Sequence, residues 1–383
     1  MLPITYAIRN LFRDPTRLLQ AVLGSALVVL MVMVAAAING GMRDVLSASG
    51  SHDNVLLLGA GSEESVLRSE IAERAAGIAE SSISHVGSVA GVRAVSPEVH
   101  QMTFITVEGA DRRQAFVRGV THRSLLVHRR VVLKEGRFPK SGEIMVGRLA
   151  WRRLGLAVDD LQPGKAVIVQ DASLKVAGVF AAPGTVMESE IWMPLSDLRS
   201  LSLRENLSCV VLRLEGDEFG SVDLFTKQRL DLELAALRES DYFARLSTFY
   251  APVRGMAWMT ALLIATGAVL GGLNTLYAAF APRIREIAAL QAIGYGRRAI
   301  MFSLVQESTL ACLCGTLVAA LVALWLLDGV TVSFSIGSFV LRVSPQVAGI
   351  GLGTGLALGI LGAVPPGLRC LLPPLPSALR SAG

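Results

Sequence analysis

The sequence predicts a membrane protein with four transmembrane α-helices and a large mixed α+β extracytoplasmic domain between the first and the second. The 383 residues are 52% hydrophobic, their mean hydropathy is +0.52 and only 17% are charged. A soluble domain of this length would be less apolar. Four runs carry almost no charge, and each is long enough for the ~20 residues that cross a bilayer as a helix. A long segment of ordinary polar composition separates the first two runs.

The charge-poor runs and the arginines beside them divide the chain into nine segments. Arginines near the start place the N-terminus in the cytoplasm, because short cytoplasmic segments carry an excess of Lys and Arg. We expect a multi-pass protein of the inner (plasma) membrane with both termini cytoplasmic. The segments are an amphipathic cytoplasmic N-terminus (1–17), transmembrane helix 1 (18–40), the extracytoplasmic domain (41–252), transmembrane helix 2 (253–281), a short cytoplasmic helix (282–298), transmembrane helix 3 (299–327), an external loop (328–344), transmembrane helix 4 (345–366) and a cytoplasmic tail (367–383).

The excess positive charge of the chain lies in the segments beside the spans. The formal net charge is +5 and the pI is about 9.2. Residues 41–250 hold 25 basic and 27 acidic residues, so the excess arginines flank the apolar runs. A nucleic-acid partner would require basic residues clustered on one face, and we expect none. A cleaved signal peptide is the alternative for the first run, but its apolar length exceeds the usual 7–15 residues.

The large external segment predicts strands with helical material at both ends. Short β-type runs bounded by turn formers indicate strands, at 103–107, 115–120, 131–133, 144–146, 166–169, 174–180 and 209–214. Helical patterns occupy 63–89, 148–154, 196–203, 221–238 and 242–250. The segment is therefore predicted to be one mixed α and β region.

The polar stretch between the second and third spans predicts a short amphipathic helix. Apolar residues recur every three positions and form one stripe, at Ile284, Ile287, Leu290 and Ile293. Gly294 and Gly296 then end the helix. A helix held between two spans can press on a cytoplasmic partner and pass force to both. The alternative is an ordinary basic loop that obeys the positive-inside bias.

The sequence contains no motif for catalysis or for nucleotide binding. The run 163–165 lacks the first glycine and the hydroxyl of a phosphate-binding loop, so any ATP hydrolysis is expected in another chain. Neither a G-x-S-x-G elbow nor an H-E-x-x-H pair occurs. We expect the five histidines, all in the external segment, to be scattered on its surface. The chain is thus predicted to be no enzyme by itself and to bind no metal or cofactor.

Small and polar residues inside the spans indicate packing positions. Glycines at four-residue spacing let helix backbones approach closely, although glycine is also simply common in membrane helices. They are Gly267, Gly271, Gly351, Gly355 and Gly359. Gln306 and Glu307 lie inside the third span, where a carboxylate is costly unless it faces protein or water. We expect Glu307 to snorkel to the inner surface, with a subunit or coupling interface as the alternative and a substrate or proton site least favoured.

Together these features resemble the MacB/FtsX-like permeases of ABC transporters (type VII, DevC/LolC/MacB-like). The stretch 283–294 is similar to the coupling-helix motif of that family, and Glu307 matches a glutamate early in its third span. Arg9-Asn10-Leu11, the segment 136–180 and the ending 378–380 also resemble it. The chain departs from the family pattern at 282 and 291.

The resemblance implies a homodimeric or pseudo-dimeric permease subunit that docks a separate cytoplasmic ABC ATPase, which uses ATP and Mg. ATPase coupling would fall to Arg283, Arg285, Glu286, Ile287, Leu290 and Gly294. In the family mechanism, mechanotransmission, movement of the external domain exports or extracts a substrate, in some members with a periplasmic adaptor. The alternatives are an FtsX-type regulator that activates an external cell-wall hydrolase and a membrane-anchored binding module without an ATPase.

Overall fold

Twelve α-helices account for the spans and for part of the external domain in the residues that the structure describes. The computed structural model describes residues 4–107, 109–280, 284–334 and 337–372, with backbone alone at 17, 272–276, 278–280 and 285. The helices are α1 Ile4–Leu11, α2 Pro15–Ser49, α3 Arg74–Ser82, α4 Ser124–Val127, α5 Ala150–Leu154, α6 Leu195–Ser202, α7 Phe219–Gln228, α8 Glu239–Phe249, α9 Ala251–Phe280, α10 Ile284–Ala292, α11 Arg297–Leu326 and α12 Pro345–Leu371.

Four of these helices are long and apolar enough to cross a membrane, which confirms the predicted four-span class. The candidate spans are Leu18–Ser49 in α2, Ala251–Gly271 in α9, Arg297–Leu326 in α11 and Pro345–Leu371 in α12. α12 begins at Pro345, and proline is favourable at the first position of a helix because a backbone N–H there would have no partner within the helix. The side chain of Ser344, the N-cap residue, accepts a hydrogen bond from Val347 N. The helix therefore begins where the sequence provides a cap.

The strands alternate with the short helices of the external segment. They are β1 Asn54–Gly59, β2 Ser88–Val89, β3 Val92–Arg93, β4 Val95–Val107, β5 Arg113–Val120, β6 Val132–Gly136, β7 Glu143–Gly147, β8 Ala166–Val169, β9 Ala172–Ala181, β10 Ile191–Pro194, β11 Cys209–Arg213, β12 Leu234–Arg238, β13 Thr331–Phe334 and β14 Gly337–Val340. Each predicted strand run overlaps one of them. The mixed α+β class of this segment is thus confirmed.

By internal contacts the chain forms two units. A transmembrane unit contains Met1–Gly40, Pro252–Val330 and Leu341–Gly383, and an external unit contains Gly41–Ala251 and Thr331–Val340. The external unit includes the antiparallel hairpin β13–β14, which lies in the segment that the sequence predicts only as a loop. A Cβ at Gly41 would meet the Phe339 ring within 2.5 Å, so the hairpin packs closely against the end of α2 within this unit.

Ten strands of the external unit form one mixed sheet. Its order is β12-β1-β11-β4-β5-β10-β7-β9-β6, and β8 pairs with both β4 and β9. The 13-residue strand β4 joins the two halves, because its first residues pair with β11 and the following ones with β5. Alternate residues of a strand face opposite sides of the sheet. Side chains at every second position of β4 therefore lie on the same face of the sheet in both halves.

One face of the sheet carries the main hydrophobic core. Val55, Val99, Val117 and Ile144 from four strands are almost completely buried there, with side chains from α3, α5, α6 and α7. Burying a side chain of this size stabilises the fold by roughly 1.5–3 kcal/mol. The opposite face lies under α4 and α8 and contains two smaller apolar clusters.

Two predicted helical stretches are wrong. Of 63–89 only Arg74–Ser82 is helical, and serines occur throughout the remainder, where their hydroxyls compete with the helix for backbone groups. Of 221–238 the helix ends at Gln228 and Leu234–Arg238 is strand β12. β12 pairs with β1 at the edge of the sheet, so tertiary pairing overrides its helix-forming composition.

Candidate functional site

The predicted cytoplasmic helix is α10, and its apolar side faces the other helices of the transmembrane unit. Ile287 is 3% exposed and lies in one buried cluster with Ile300 and Leu304 of α11 and Cys370 of α12. Tyr6 of α1 packs against the same cluster. Because interiors are close-packed, a displacement of α10 must also displace the adjoining ends of α11 and α12.

A glycine in the left-handed region terminates α10. Gly294 has a φ of +105°, a conformation that costs other residues about 1 kcal/mol. Tyr295 N donates to Leu290 O and Gly294 N donates to Gln291 O, both at 3.0 Å, which is the hydrogen-bond pair of a Schellman end. Ile293 follows the helix and is 75% exposed, so the predicted apolar stripe is wrong at this residue.

Helix α1 and the turn that follows it are bonded to α11 and α10 respectively. Glu307 is buried and its Oε2 accepts a hydrogen bond of 3.1 Å from Asn10 Nδ2, so the expectation that it snorkels to solvent is wrong. Arg13 Nη1 lies 3.0 Å from Glu286 Oε1 in an exposed ion pair, which contributes at most about 1 kcal/mol. Gln306 Oε1 is buried and has no hydrogen-bond partner among the described residues.

The predicted coupling residues fall into three groups. Arg283 lies outside the described residues, as does the side chain of Arg285. Glu286 is exposed at the surface of α10. Ile287 faces inward, with Leu290 half-buried beside it, so both hold α10 against the spans. The chain ending 378–380 also lies outside the described residues.

The glycines of α12 lie where neighbouring helix backbones approach closely. A Cβ at Gly351 would come within 2.9 Å of Met33 in α2, and one at Gly359 within 2.5 Å of the Cα atom of Thr309 in α11. Gly355 is equally close to α11. Contacts this short leave no room for a side chain, so α12 packs against both the first and the third span through these positions.

The second span makes fewer contacts than the first. In its most apolar window 6% of the residues are buried, against 50% in the first span. Ala261 packs on Val32 and Ala35 of α2. A Cβ at Gly267 or Gly271 would meet no heavy atom of the described residues within 4 Å. The described part of the chain therefore leaves most of this span open to lipid or to another subunit.

A second constellation, which we call the ion-pair network, lies in the external unit on the face of the sheet under α8. Its centre is Arg118 of β5, which is 4% exposed. Arg118 Nη1 donates to Glu98 Oε2 at 2.8 Å, and Nε and Nη2 donate to the two carboxylate oxygens of Glu190 at 2.8 Å each. Such bidentate, charge-assisted bonds are among the strongest in proteins. The network lies where β4 passes from one half of the sheet to the other.

The two carboxylates of the network accept bonds at every oxygen. Glu98 accepts from His100 Nε2 at 2.9 Å, from His128 Nε2 at 2.7 Å and from Ser96 Oγ at 2.8 Å. Trp192 Nε1 donates to Glu190 Oε2 at 2.8 Å. Buried charge is tolerated in a protein when it is paired and hydrogen-bonded in this way.

The surroundings of the network keep its charges balanced. Burial would raise the pKa of Glu98, but His128 and Arg118 hold that pKa well below its usual range. Burial would likewise raise the pKa of Glu190, and Arg118 lowers it. Burial lowers the pKa of His100, whereas Glu98 overcomes burial and raises the pKa of His128. Two carboxylates therefore face two cations, with His100 neutral.

A third buried carboxyl, that of Glu239 at the start of α8, accepts its hydrogen bonds from uncharged groups. Its Oε2 accepts hydrogen bonds from Ser51 N at 3.0 Å and from Asn54 Nδ2 at 2.9 Å, while His128 Nδ1 lies 3.9 Å from Oε1. Burial raises the pKa of Glu239. Ser51 follows α2 and α8 precedes α9 in sequence, so this carboxyl joins, within the external unit, the segments that lead to the first two spans.

Three members of this region could also be considered as metal ligands. Glu98, His100 and Cys209 place one ligand atom each within 4.8 Å of one another, and zinc accepts such donors. A metal does not fit, because Arg118 bonds Glu98 directly and a dication would lie beside its fixed positive charge. Burial also raises the pKa of the Cys209 thiol well above its usual value, which keeps it protonated. These residues belong to the ion-pair network.

A cavity of about 660 Å³ lies beside the network, between the sheet and α8. Arg118 and Glu190 line it from the sheet, and Glu239, Tyr242 and Phe243 line it from α8. Most of its wall is apolar or aromatic. Its size falls in the range of small-molecule sites, roughly 300–1,000 Å³.

The expectation that all five histidines are surface residues is wrong for two of them. His100 is 6% and His128 4% exposed. The physical reason is that both donate to Glu98, which compensates the cost of burying their rings. A sequence signal existed: Glu98 and His100 alternate with apolar residues in a strand, so both face one side.

Two protein-family models match the chain and together span most of it. Residues 19–218 match the MacB-like periplasmic core domain, and residues 258–371 match the FtsX-like permease C-terminal domain. The chain belongs to the MacB/FtsX-like permease family. The external unit of this MacB/FtsX-like permease is therefore a periplasmic domain, and its FtsX-like part is that of a membrane subunit with an ABC ATPase as partner.

Solved structures resemble about half of the MacB/FtsX-like permease. The periplasmic region of MacB from Actinobacillus actinomycetemcomitans shares 14% identity over 51% of this chain and 92% of that chain, with a TM-score of 0.39. The extracellular domain of the noncanonic ABC-type transporter YknZ from Gram-positive bacteria shares 13% identity over 48% of this chain and 99% of that chain, with a TM-score of 0.37. The comparison with curated proteins finds no match.

Proposed function

We propose that this MacB/FtsX-like permease couples ATP hydrolysis by a separate cytoplasmic ABC ATPase to movement of its periplasmic domain, and so exports or extracts a substrate by mechanotransmission. The observation that carries the proposal is the burial of Ile287 against α11 and α12. The short helix is not a loose loop: it shares one packed cluster with two spans. Force on α10 therefore reaches the spans directly.

Contacts between the spans support a route for that force. α10 packs on α11 and α12, and α12 meets α2 where Gly351 faces Met33. α2 is one unbroken helix from Pro15 to Ser49. Two residues after its end, Ser51 N donates to Glu239 at the start of α8. Packed elements of this kind shift as units and not by continuous deformation.

The export role is favoured over the FtsX-type regulator by the cavity of about 660 Å³ in the periplasmic domain. An activator of a cell-wall hydrolase requires only an exposed docking surface, whereas an exporter must hold its substrate. The spans also carry few polar groups that could line a hydrophilic path, which favours work outside the membrane over passage through a tunnel. We propose that the functional unit is a dimer in which the open side of the second span meets the second permease.

Capture of the co-expressed ABC ATPase tests the coupling helix. Glu286 in the first turn of α10 and Ile293 just after its last residue both have exposed side chains. Glu286→Lys and Ile293→Glu are therefore expected to lower the amount of ATPase that co-purifies with the permease by about tenfold or more, equivalent to 1.4 kcal/mol. Leu230→Glu is the matched control for Ile293→Glu, since Leu230 is 76% exposed in the periplasmic domain. Glu135→Lys is the control for Glu286→Lys.

Two results would contradict the proposal. If both α10 variants retain the ATPase as well as the controls do, α10 is not the dock. If no ATPase co-purifies with the unaltered permease either, the chain is a membrane-anchored binding module and not a coupled subunit.

A further inference from the structure

The cavity beneath α8 combines an aromatic wall with a buried carboxyl. Glu239, Tyr242, Phe243 and Tyr250 lie on one side of the same chain segment, at spacings of three, four and eleven residues. Phe116 faces them from β5. Residues three and four apart on a helix are neighbours, so the Glu239 carboxyl lies next to the first two rings.

Glu239 is the carboxyl of this region that is left for a ligand. Arg118 Nε, Nη1 and Nη2 each donate to Glu98 or Glu190, and His128 Nε2 is bonded to Glu98 at 2.7 Å. The other nitrogen of His128 remains 3.9 Å from Glu239 Oε1. No hydrogen bond among the described residues ends on that oxygen, although the side chain is only 4% exposed. A carboxylate in this position gains most from a cation that enters the cavity.

The charges at the rim do not favour an anion. Glu63 and Glu64 line the rim together with Arg68 and Arg245, so two acidic side chains balance two basic ones. The preferred charge of a ligand then depends on Glu239, which lines the cavity. Aromatic faces strengthen the same preference, because they attract cations, and quaternary ammonium groups in particular.

We propose that this cavity binds an amphipathic organic cation, with its charged centre beside Glu239 and its apolar body against Phe116 and the rings of α8. Under the export function proposed above, such a cation is the transported substrate. Binding itself requires neither the ATPase nor movement. The two proposals can therefore fail separately.

The test uses two probes that share one shape and differ in charge. Tetraphenylphosphonium and tetraphenylborate are offered to the full-length permease, purified in detergent without an ATPase, and binding is measured by equilibrium dialysis. We expect the cation to bind at least about tenfold more tightly than the anion. Glu239→Gln, which keeps the shape of the side chain, is expected to weaken phosphonium binding by about tenfold or more. Glu135→Gln, at an exposed carboxylate of β6, is expected to leave it unchanged.

A second variant keeps the test decisive if Glu239→Gln does not fold. Leu246→Trp fills the cavity from α8 and leaves every charged residue in place, and it is expected to abolish phosphonium binding. The proposal is overturned if either folded variant binds the phosphonium as tightly as the unaltered permease. It is also overturned if tetraphenylborate binds more tightly and Arg245→Gln removes that binding, because the ligand would then be an anionic amphiphile.

Discussion

At the scale of single residues, Arg118 is the residue on which the buried charges of the periplasmic domain depend. It bonds Glu98 and Glu190 at once, and together with His128 it balances the charges of both carboxylates. The sequence predicts the strand that contains Arg118 and part of the strand that contains Glu98 and His100. It could not show that these side chains meet, because their contact depends on the pairing of β4 with β5 and on the loop that carries His128.

Removal of Arg118 is expected to be strongly destabilising. Arg118→Leu removes the cation that bonds both buried carboxylates, which costs about 3–5 kcal/mol of unfolding free energy. Arg113→Leu, on the same strand with a half-exposed side chain, is the matched control and is expected to stay within about 0.5 kcal/mol of the unaltered protein. Thermal unfolding in detergent measures both. Equal stability of the two variants would show that the buried bonds contribute nothing.

The charge of His128 predicts a pH-dependent contribution. Glu98 raises the folded-state pKa of His128 against the effect of burial, above the value of about 6.5 for an unfolded histidine. Its stabilisation is therefore complete below that pH and is lost as the pH rises through the folded pKa. His128→Gln is expected to be less stable than the unaltered protein by an amount that is largest in acid and shrinks towards alkaline pH.

The control for His128 is His52→Gln, which alters an exposed histidine and should show no such trend. Unfolding midpoints over a pH series in detergent provide the measurement. A deficit of His128→Gln that grows with pH would contradict the assignment of His128 as the cation of this pair.

At the scale of elements, α10 shows which features a sequence predicts well. Its apolar spacing predicts the helix, and Gly294 predicts its end, because both are local properties. The spacing could not show that the stripe ends before Ile293, since the Schellman turn directs that residue away. The helix predicted over 221–238 fails at β12 because pairing with β1 is not a local property.

Two glycines of α12 provide an element-scale prediction. A Cβ at Gly355 would collide with Thr316 of α11, whereas one at Gly353 would meet nothing within 4 Å among the described residues. Gly355→Leu is therefore expected to lower the unfolding free energy by about 1–3 kcal/mol through overpacking. Gly353→Leu is expected to have little effect on the thermal midpoint in detergent. The reverse order, or equal effects, would show that α12 does not pack on α11 through this face.

At the scale of the whole molecule, the four spans follow from hydrophobicity alone, because a bilayer admits only helices whose backbone groups are satisfied internally. The mixed class of the periplasmic domain also follows from its short alternating runs. The order of its sheet and the cavity do not, because strands far apart in sequence form them. Coupling of the ATPase to this domain remains the proposal on which the account depends.

Spin labels on the periplasmic domain test that coupling most directly. Glu135→Cys, in a protein whose four native cysteines are replaced by alanine, provides one label on each permease of the dimer. Distances between the labels are measured by pulsed electron paramagnetic resonance with the ATPase bound, without nucleotide, with ADP and with ATP. The account predicts that ATP shifts the distance distribution away from those of the other two states. An unchanged distribution in a sample that hydrolyses ATP would contradict it.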